Sequence, residues 1–232
     1  MRQKKNGIGI SSLFNSTTER LIIGDSITNR INGQQVGQSV VARGFGGHTT
    51  KTLLERTINT KAKQIKHICL MVGANDCMSE DFDLTTSSAN YEKLIYTCAH
   101  KFTPKTVTVC SITPLTSFRK EQNENVKKLN TKLKALVKNI KDLGEVELKL
   151  HDFYGDFQQH NHLVSSDGVH PTEKGVRVLV KTYRVIFHDN GIEISDSEIT
   201  VRPKFSQPFC NNHDQMREFF QKGYNYFTNM NH

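Results

Sequence analysis

The chain lacks any apolar run of about 18 residues, so no membrane-spanning helix is expected. It opens with basic residues, MRQKKNGIGISS, but no long apolar stretch follows them, which argues against a secretory signal peptide. The 5 cysteines are odd in number and contain no CxxC pair, so neither a disulfide framework nor a zinc site is expected. Cys69, Cys98 and Cys110 lie inside apolar runs, where a free thiol behaves as a small hydrophobe, and the expected setting is a reducing, cytoplasmic one. There is no G-x-S-x-G elbow, which argues against an α/β-hydrolase, and no Walker A or dinucleotide-binding glycine motif. No internal repeat or linker marks a second domain.

The 232 residues suit one sizeable domain with an extension, long enough to bury a real core. With 36% hydrophobic and 23% charged residues the composition is that of a globular protein. The formal charge is +8, which favours acidic partners such as nucleic acid or anionic lipid. The lysines, however, are spread along the chain. The densest group, Lys127 to Lys141, falls on the wet side of a helix and reads as a solvated face rather than a nucleic-acid footprint.

Residues 1–18 are polar and rich in Ser, Thr and Asn, a flexible lead-in. From 19 to 190 strand and helix signals alternate. Strands are expected at Leu21–Ile23, Ser39–Ala42, His67–Val72 and Thr106–Ile112, with a weaker fifth at Glu147–Leu150. Helical spacing covers Thr50–Ile58, with Leu53, Leu54, Thr57 and Ile58 on one side. It recurs through Tyr91, Leu94, Ile95, Cys98 and Phe102. The clearest helix runs from about Asn123 to Leu143, with Gly144 as its C-terminal stop, and a last one carries Val176, Leu179, Val180, Tyr183 and Phe187. The long stripe Val126–Leu143 is read as a helix covering a sheet face rather than a coiled-coil seam. This order implies an α/β fold, a parallel sheet with helices on both faces, whose function collects at the carboxyl ends of the strands. After about Asn190 the alternation stops, and 191–232 is an extension of unknown role.

Four segments each follow an expected strand: Gly24-Asp25-Ser26, Gly44-Phe45-Gly46-Gly47, Gly73-Ala74-Asn75-Asp76 and Asp167-Gly168-Val169-His170. Singly, each is ordinary turn chemistry. Together they supply the parts of acyl transfer. A serine hydroxyl needs a base within hydrogen-bond reach, a histidine can take that proton near neutral pH, and a carboxylate orients the imidazole. Asp167 and His170 share one loop that runs into Pro171, so a tight turn can join them while the other ring nitrogen faces Ser26. Candidate oxyanion donors are the Ser26 N–H, a glycine N–H of the second loop and the Asn75 side-chain amide.

The order and spacing of these segments resemble the SGNH (GDSL-like) hydrolase family of lipases and acylhydrolases. IIGDSIT is similar to its first block, RGFGGHTT to its second, VGANDC to its GxND block and SDGVHPTEKG to its DxxH block. The resemblance spans roughly Arg20 to Asp189. It implies a flavodoxin-like three-layer α/β/α sandwich with a mainly five-stranded parallel sheet, and a serine esterase with no cofactor and no metal. It assigns Ser26, Asp167 and His170 as catalytic and places the oxyanion hole at Ser26, Gly47 and Asn75. The second block is particularly similar to that of platelet-activating-factor acetylhydrolase-type members. Ile27 stands where the family's leucine follows GDS, and His48 where relatives often carry an acidic or small residue.

Asp25 and Asp76 are expected behind the site, hydrogen-bonding loop backbone. His48 is read as a loop surface residue and Cys77 as a bystander without a base. The tract His151, Asp152, His160, His162 has ligand chemistry without compact tetrahedral spacing. The expected substrate is a lipid, acetylated-sugar or other small ester with a short acyl group. The competing reading is a binding module for RNA or anionic lipid in which esterase activity is idle or secondary.

Overall fold

The computed structural model describes residues 17–116 and 119–187. In chain order the elements are β1 (Arg20–Gly24), α1 (Gly33–Val36), β2 (Val40–Gly44), α2 (Thr50–Ile58), β3 (His67–Met71), α3 (Ala74–Met78) and α4 (Leu84–Phe102). They continue with β4 (Thr106–Cys110), α5 (Lys120–Asn139), β5 (Glu147–His151), α6 (Phe153–Gln158) and α7 (Glu173–Phe187). The five strands form one sheet in the order β2-β1-β3-β4-β5, and every pairing is parallel. This is the flavodoxin-like strand order.

The apolar runs explain the layering. In β1, β3 and β4 every residue after the first is buried, as central strands covered on both faces require. β5 lies at the edge and has only half-buried or exposed positions, which is why its sequence signal is weaker. On one face α2 packs against α4 and α4 against α5; elsewhere α7 packs against α1. The core is continuous, from Leu21, Ile22 and Ile23 through Leu70 and Val109 to Leu129, Leu179 and Tyr183.

Local signals set the helix ends. Asp83 caps α4, accepting from the Thr86 N–H at 2.6 Å. The expected end of α5 is corrected. The last helical bond runs from the Ile140 N–H to the Leu136 carbonyl, and Ile140 is already extended (ψ 122°). Leu143 is still buried, so the apolar spacing outlives the helix. Gly144, with φ +64°, serves the turn into β5 instead. Ile58, expected on the buried side of α2, is 51% exposed. The short helices α3 and α6 have too few turns to show a period in sequence. The lead-in 1–18 lies outside the described residues except for Thr17 and Thr18, and Thr18 is buried. The extension 191–232 lies outside them entirely. No described helix is long and apolar enough to cross a membrane.

Leu70→Ala, at a fully buried position of β3, is expected to cost about 2–5 kcal/mol through transfer and cavity terms. Ile58→Ala should stay within about 0.5 kcal/mol, as at an exposed position. Urea unfolding of the two variants measures the contrast.

Candidate active site

The strand order reverses between β1 and β3: the chain leaves β1 for β2 on one side and returns to β3 on the other. Ligands in such sheets bind at the carboxyl ends beside that reversal. Ser26 follows β1 there and Asn75 follows β3. The turn holding Ser26 is built by close approach. A Cβ on Gly24 would lie 2.0 Å from the Met71 carbonyl oxygen, and one on Gly44 2.0 Å from the Asn29 nitrogen. Only hydrogen fits at either position, so the Ser26 turn rests directly on the neighbouring strands.

Asp25 is 1% exposed and faces inward rather than toward the imidazole. Its Oδ1 accepts from the Ile27 N–H at 3.0 Å and its Oδ2 from the Ala74 N–H at 3.4 Å, tying the Ser26 turn to α3. Burial pushes this carboxyl up to about 7, against the opposing pull of those two N–H groups. Asp76 joins α3 to α2: its carboxylate accepts from the Thr50 N–H at 2.8 Å and the Thr50 hydroxyl at 2.6 Å. It is also raised by burial, with the Thr50 bonds working in the other direction.

The second loop leaves β2 with the Phe45 N–H donating to the Gly24 carbonyl at 2.9 Å. It passes through exposed Gly46 and Gly47, the latter with φ +73°, and enters α2 at Thr49, which forms a capping box with Thr52. The Asn75 side-chain amide donates to the His48 carbonyl at 2.9 Å, so the second and third segments touch. His48 is half-buried rather than a plain surface residue. Its Nε2 accepts from the Arg56 Nε–H at 3.1 Å, and its Nδ1 lies 3.3 Å from the Gly46 carbonyl. Burial and the neighbouring Arg56 charge hold its pKa below the ordinary histidine value, against the Gly46 bond.

The fourth segment is a tight loop. Val164 bridges Pro171, the Ser165 N–H donates to the His170 carbonyl at 2.8 Å, and the Thr116 N–H donates to the Gly168 carbonyl at 3.1 Å. Asp167 Oδ1 accepts from the Ser165 hydroxyl (2.7 Å) and the N–H groups of Val169 (3.0 Å) and His170 (2.9 Å). Its Oδ2 lies 2.9 Å from His170 Nδ1, and His170 Nε2 lies 2.9 Å from Ser26 Oγ. Partial burial pushes the Asp167 carboxyl up, but those hydrogen bonds outweigh it and hold it far below the usual carboxylate range. An ionised carboxylate only accepts. Nδ1 therefore carries the proton, which leaves Nε2 to accept from the Ser26 hydroxyl.

Ser165, Thr116 and Arg56 take part in this arrangement and lie outside the site residues that the sequence points to. For Ser165 a signal existed: a serine two residues before a loop aspartate is a frequent turn partner. Among the other candidates, Cys77 is buried and its thiol is pushed up by burial. His151 pairs with Asp156 at 3.0 Å, and Asp152 binds Ser111 and Lys134. Among the described residues no group of three or more His, Cys, Asp or Glu is placed to hold a metal.

The sequence profile of the GDSL-like Lipase/Acylhydrolase family matches residues 22–178. The chain belongs to this family. As a GDSL-like acylhydrolase it is a hydrolase of carboxylic esters. No curated protein matches the sequence. Among solved structures, it is similar to a lipolytic G-D-S-L family protein from Veillonella parvula, with 23% identity over 74% of this chain and 97% of that one and a TM-score of 0.59. It is similar to the lipase/acylhydrolase of Enterococcus faecalis, with 18% identity, 76% and 100% coverage and a TM-score of 0.58. An acetylxylan esterase from Geobacillus stearothermophilus gives 17% identity, 76% and 96% coverage and a TM-score of 0.59. At these identities the likeness is one of fold.

The buried Asp25 carboxyl of this acylhydrolase is raised from 3.8 to about 7, so its contribution to stability is full below about pH 4 and is lost as pH rises through about 7. Asp25→Asn removes that titration. Relative to the parent, its unfolding free energy should improve between pH 4 and 7.5, by up to a few kcal/mol. Urea titrations at several pH values measure the change.

Proposed function

We propose that the protein is a serine esterase in which Ser26 is the nucleophile, His170 the general base and Asp167 the carboxylate that orients it. One observation carries this reading: a single imidazole lies 2.9 Å from the Ser26 hydroxyl and 2.9 Å from the Asp167 carboxylate. Ser26 Oγ attacks the ester carbonyl carbon while its proton passes to His170 Nε2. The carbonyl oxygen becomes an oxyanion, held by the N–H groups of Ser26 and Gly47 and the Asn75 amide. The intermediate collapses, and the imidazolium gives its proton to the departing alkoxide. Water, deprotonated by the same imidazole, then attacks the acyl-enzyme, releasing the carboxylic acid and restoring Ser26.

A short acyl group such as acetyl suits the site. The connections at the carboxyl ends of β1, β2 and β3 are brief, with no insertion long enough to build a deep acyl tunnel. The similarity to an acetylxylan esterase fold is in keeping with an acetyl ester, on a lipid, a sugar or another small alcohol. The catalytic domain is taken as 19–190, preceded by the segment 1–18 and followed by the extension 191–232. Cys69, Cys77, Cys98 and Cys110 are buried free thiols, which favours a reducing, cytoplasmic setting. The RNA- or lipid-binding alternative draws on net charge. On α5, however, Lys127 pairs with Glu124 and Lys134 with Asp152, as on a solvated face.

Ser26→Ala should lower kcat on p-nitrophenyl acetate by about 10⁴-fold or more, whereas equal rates from parent and variant would refute the assignment. Asn75→Ala should lower kcat by about 100- to 1000-fold, the usual loss for one oxyanion donor. In a chain-length series of p-nitrophenyl esters, kcat/KM should be highest at acetyl and fall by octanoyl.

A further inference from the structure

Gly46 and Gly47 are consecutive glycines on an exposed loop, and a Cβ added to either would meet no heavy atom within 4 Å. The His48 N–H donates to the Phe45 carbonyl at 3.2 Å and closes the ends of this turn, but the central peptide between the two glycines is still able to flip, because glycine accepts either orientation. An oxyanion donor has to be aimed before charge develops, so something else must fix this unit.

The Gly46 carbonyl and the Gly47 N–H belong to one planar, trans peptide and point in opposite directions. Whatever grips the carbonyl aims the N–H. The His48 ring sits at that carbonyl, with Nδ1 3.3 Å from the oxygen. Its tautomer is not free. Arg56 Nε–H can only donate, and it donates to His48 Nε2 at 3.1 Å, so the ring proton sits on Nδ1 and is offered to Gly46. Arg56 is itself seated with its guanidinium 4.4 Å over the Phe45 ring, and that ring lies 5.1 Å from the His48 ring. The backbone carbonyl of His48 accepts from the Asn75 amide at 2.9 Å. One residue thus touches the supports of two proposed oxyanion donors, by its ring and by its main chain.

We propose that His48 and Arg56 are positioning residues: Arg56 sets the His48 tautomer, and His48 Nδ1–H holds the Gly46–Gly47 peptide with its N–H turned toward the oxyanion. This rests on the assignment of Gly47 as an oxyanion donor. Neither side chain touches the reacting atoms.

The test compares p-nitrophenyl acetate with its thiono analogue, in which sulfur replaces the carbonyl oxygen and fits an oxygen-binding hole poorly. His48→Ala should lower kcat on the oxygen ester by about 10- to 100-fold with KM within about twofold, below the loss of a whole donor because the N–H remains but is no longer aimed. The thionoester should lose less, so the oxygen-to-thiono ratio of kcat/KM falls. His48→Asn, whose amide nitrogen can take the place of Nδ1, should recover most of the kcat and of the ratio. Arg56→Gln should shift the ratio in the same direction as His48→Ala but less. Equal losses on both substrates, or unchanged kcat in His48→Ala, would overturn the proposal. If His48→Ala does not fold, His48→Asn and Arg56→Gln decide it by the same ratio. Activity that survives Ser26→Ala would instead count against the esterase mechanism itself, so the two failures are distinct.

Discussion

The imidazole of His170 hydrogen-bonds a hydroxyl 144 residues away in the chain and a carboxylate three residues away. These two contacts make opposite demands. The near one needs a loop that turns tightly enough to face its own start. The far one needs the first and last parts of the fold to meet at the carboxyl ends of the strands. A parallel sheet with the order β2-β1-β3-β4-β5 meets the second demand, because the strand after which Ser26 lies is central and its carboxyl end is open where the order reverses. The hydrogen bonds on Asp167 Oδ1 meet the first, since they fix the carboxylate before the imidazole uses its other oxygen.

The support beneath the site uses buried acids. Asp25 and Asp76 are both held inside against the ordinary preference of a carboxyl for water, and each spends its oxygens on main-chain N–H groups or Thr50. They connect β1, α3 and the start of α2, the pieces that carry Ser26, Asn75 and the Gly46–Gly47 loop. Such bonds give direction, which apolar packing does not, and buried polar groups of this kind are costly unless satisfied. The proposed roles of Ser26, Gly47 and Asn75 depend on that direction being kept to within fractions of an ångström.

Much of the fold is legible in the sequence because burial on both faces writes continuous apolar runs into β1, β3 and β4. β5 reads faintly because an edge strand buries little. The end of α5 misleads because Ile140 and Leu143 keep helical spacing after the backbone has turned extended, so a periodic pattern there reflects what the core needs, not what the main chain does. Three site segments stand out as small and polar residues after β1, β2 and β3; the fourth, Asp167–His170, follows no strand and lies in the loop before α7. Their partners do not: Thr116 acts through its backbone, and Arg56 reaches back from α2 to His48 in the loop that precedes the helix. Contacts through main chain or between elements leave no spacing to read. The standing of His48 as more than a surface histidine is of this kind, visible only once Arg56, Phe45 and Gly46 surround it.

Covalent trapping reports directly on whether His170 activates the Ser26 hydroxyl. A small alkyl fluorophosphonate reacts with a serine whose hydroxyl is deprotonated by a neighbouring base, and intact-mass and peptide mass spectrometry locate the adduct. A single adduct on Ser26 is expected, formed in step with loss of esterase activity and slowed severely in His170→Ala. An adduct on another residue, or full labelling of Ser26 without His170, would contradict the roles of Ser26 and His170.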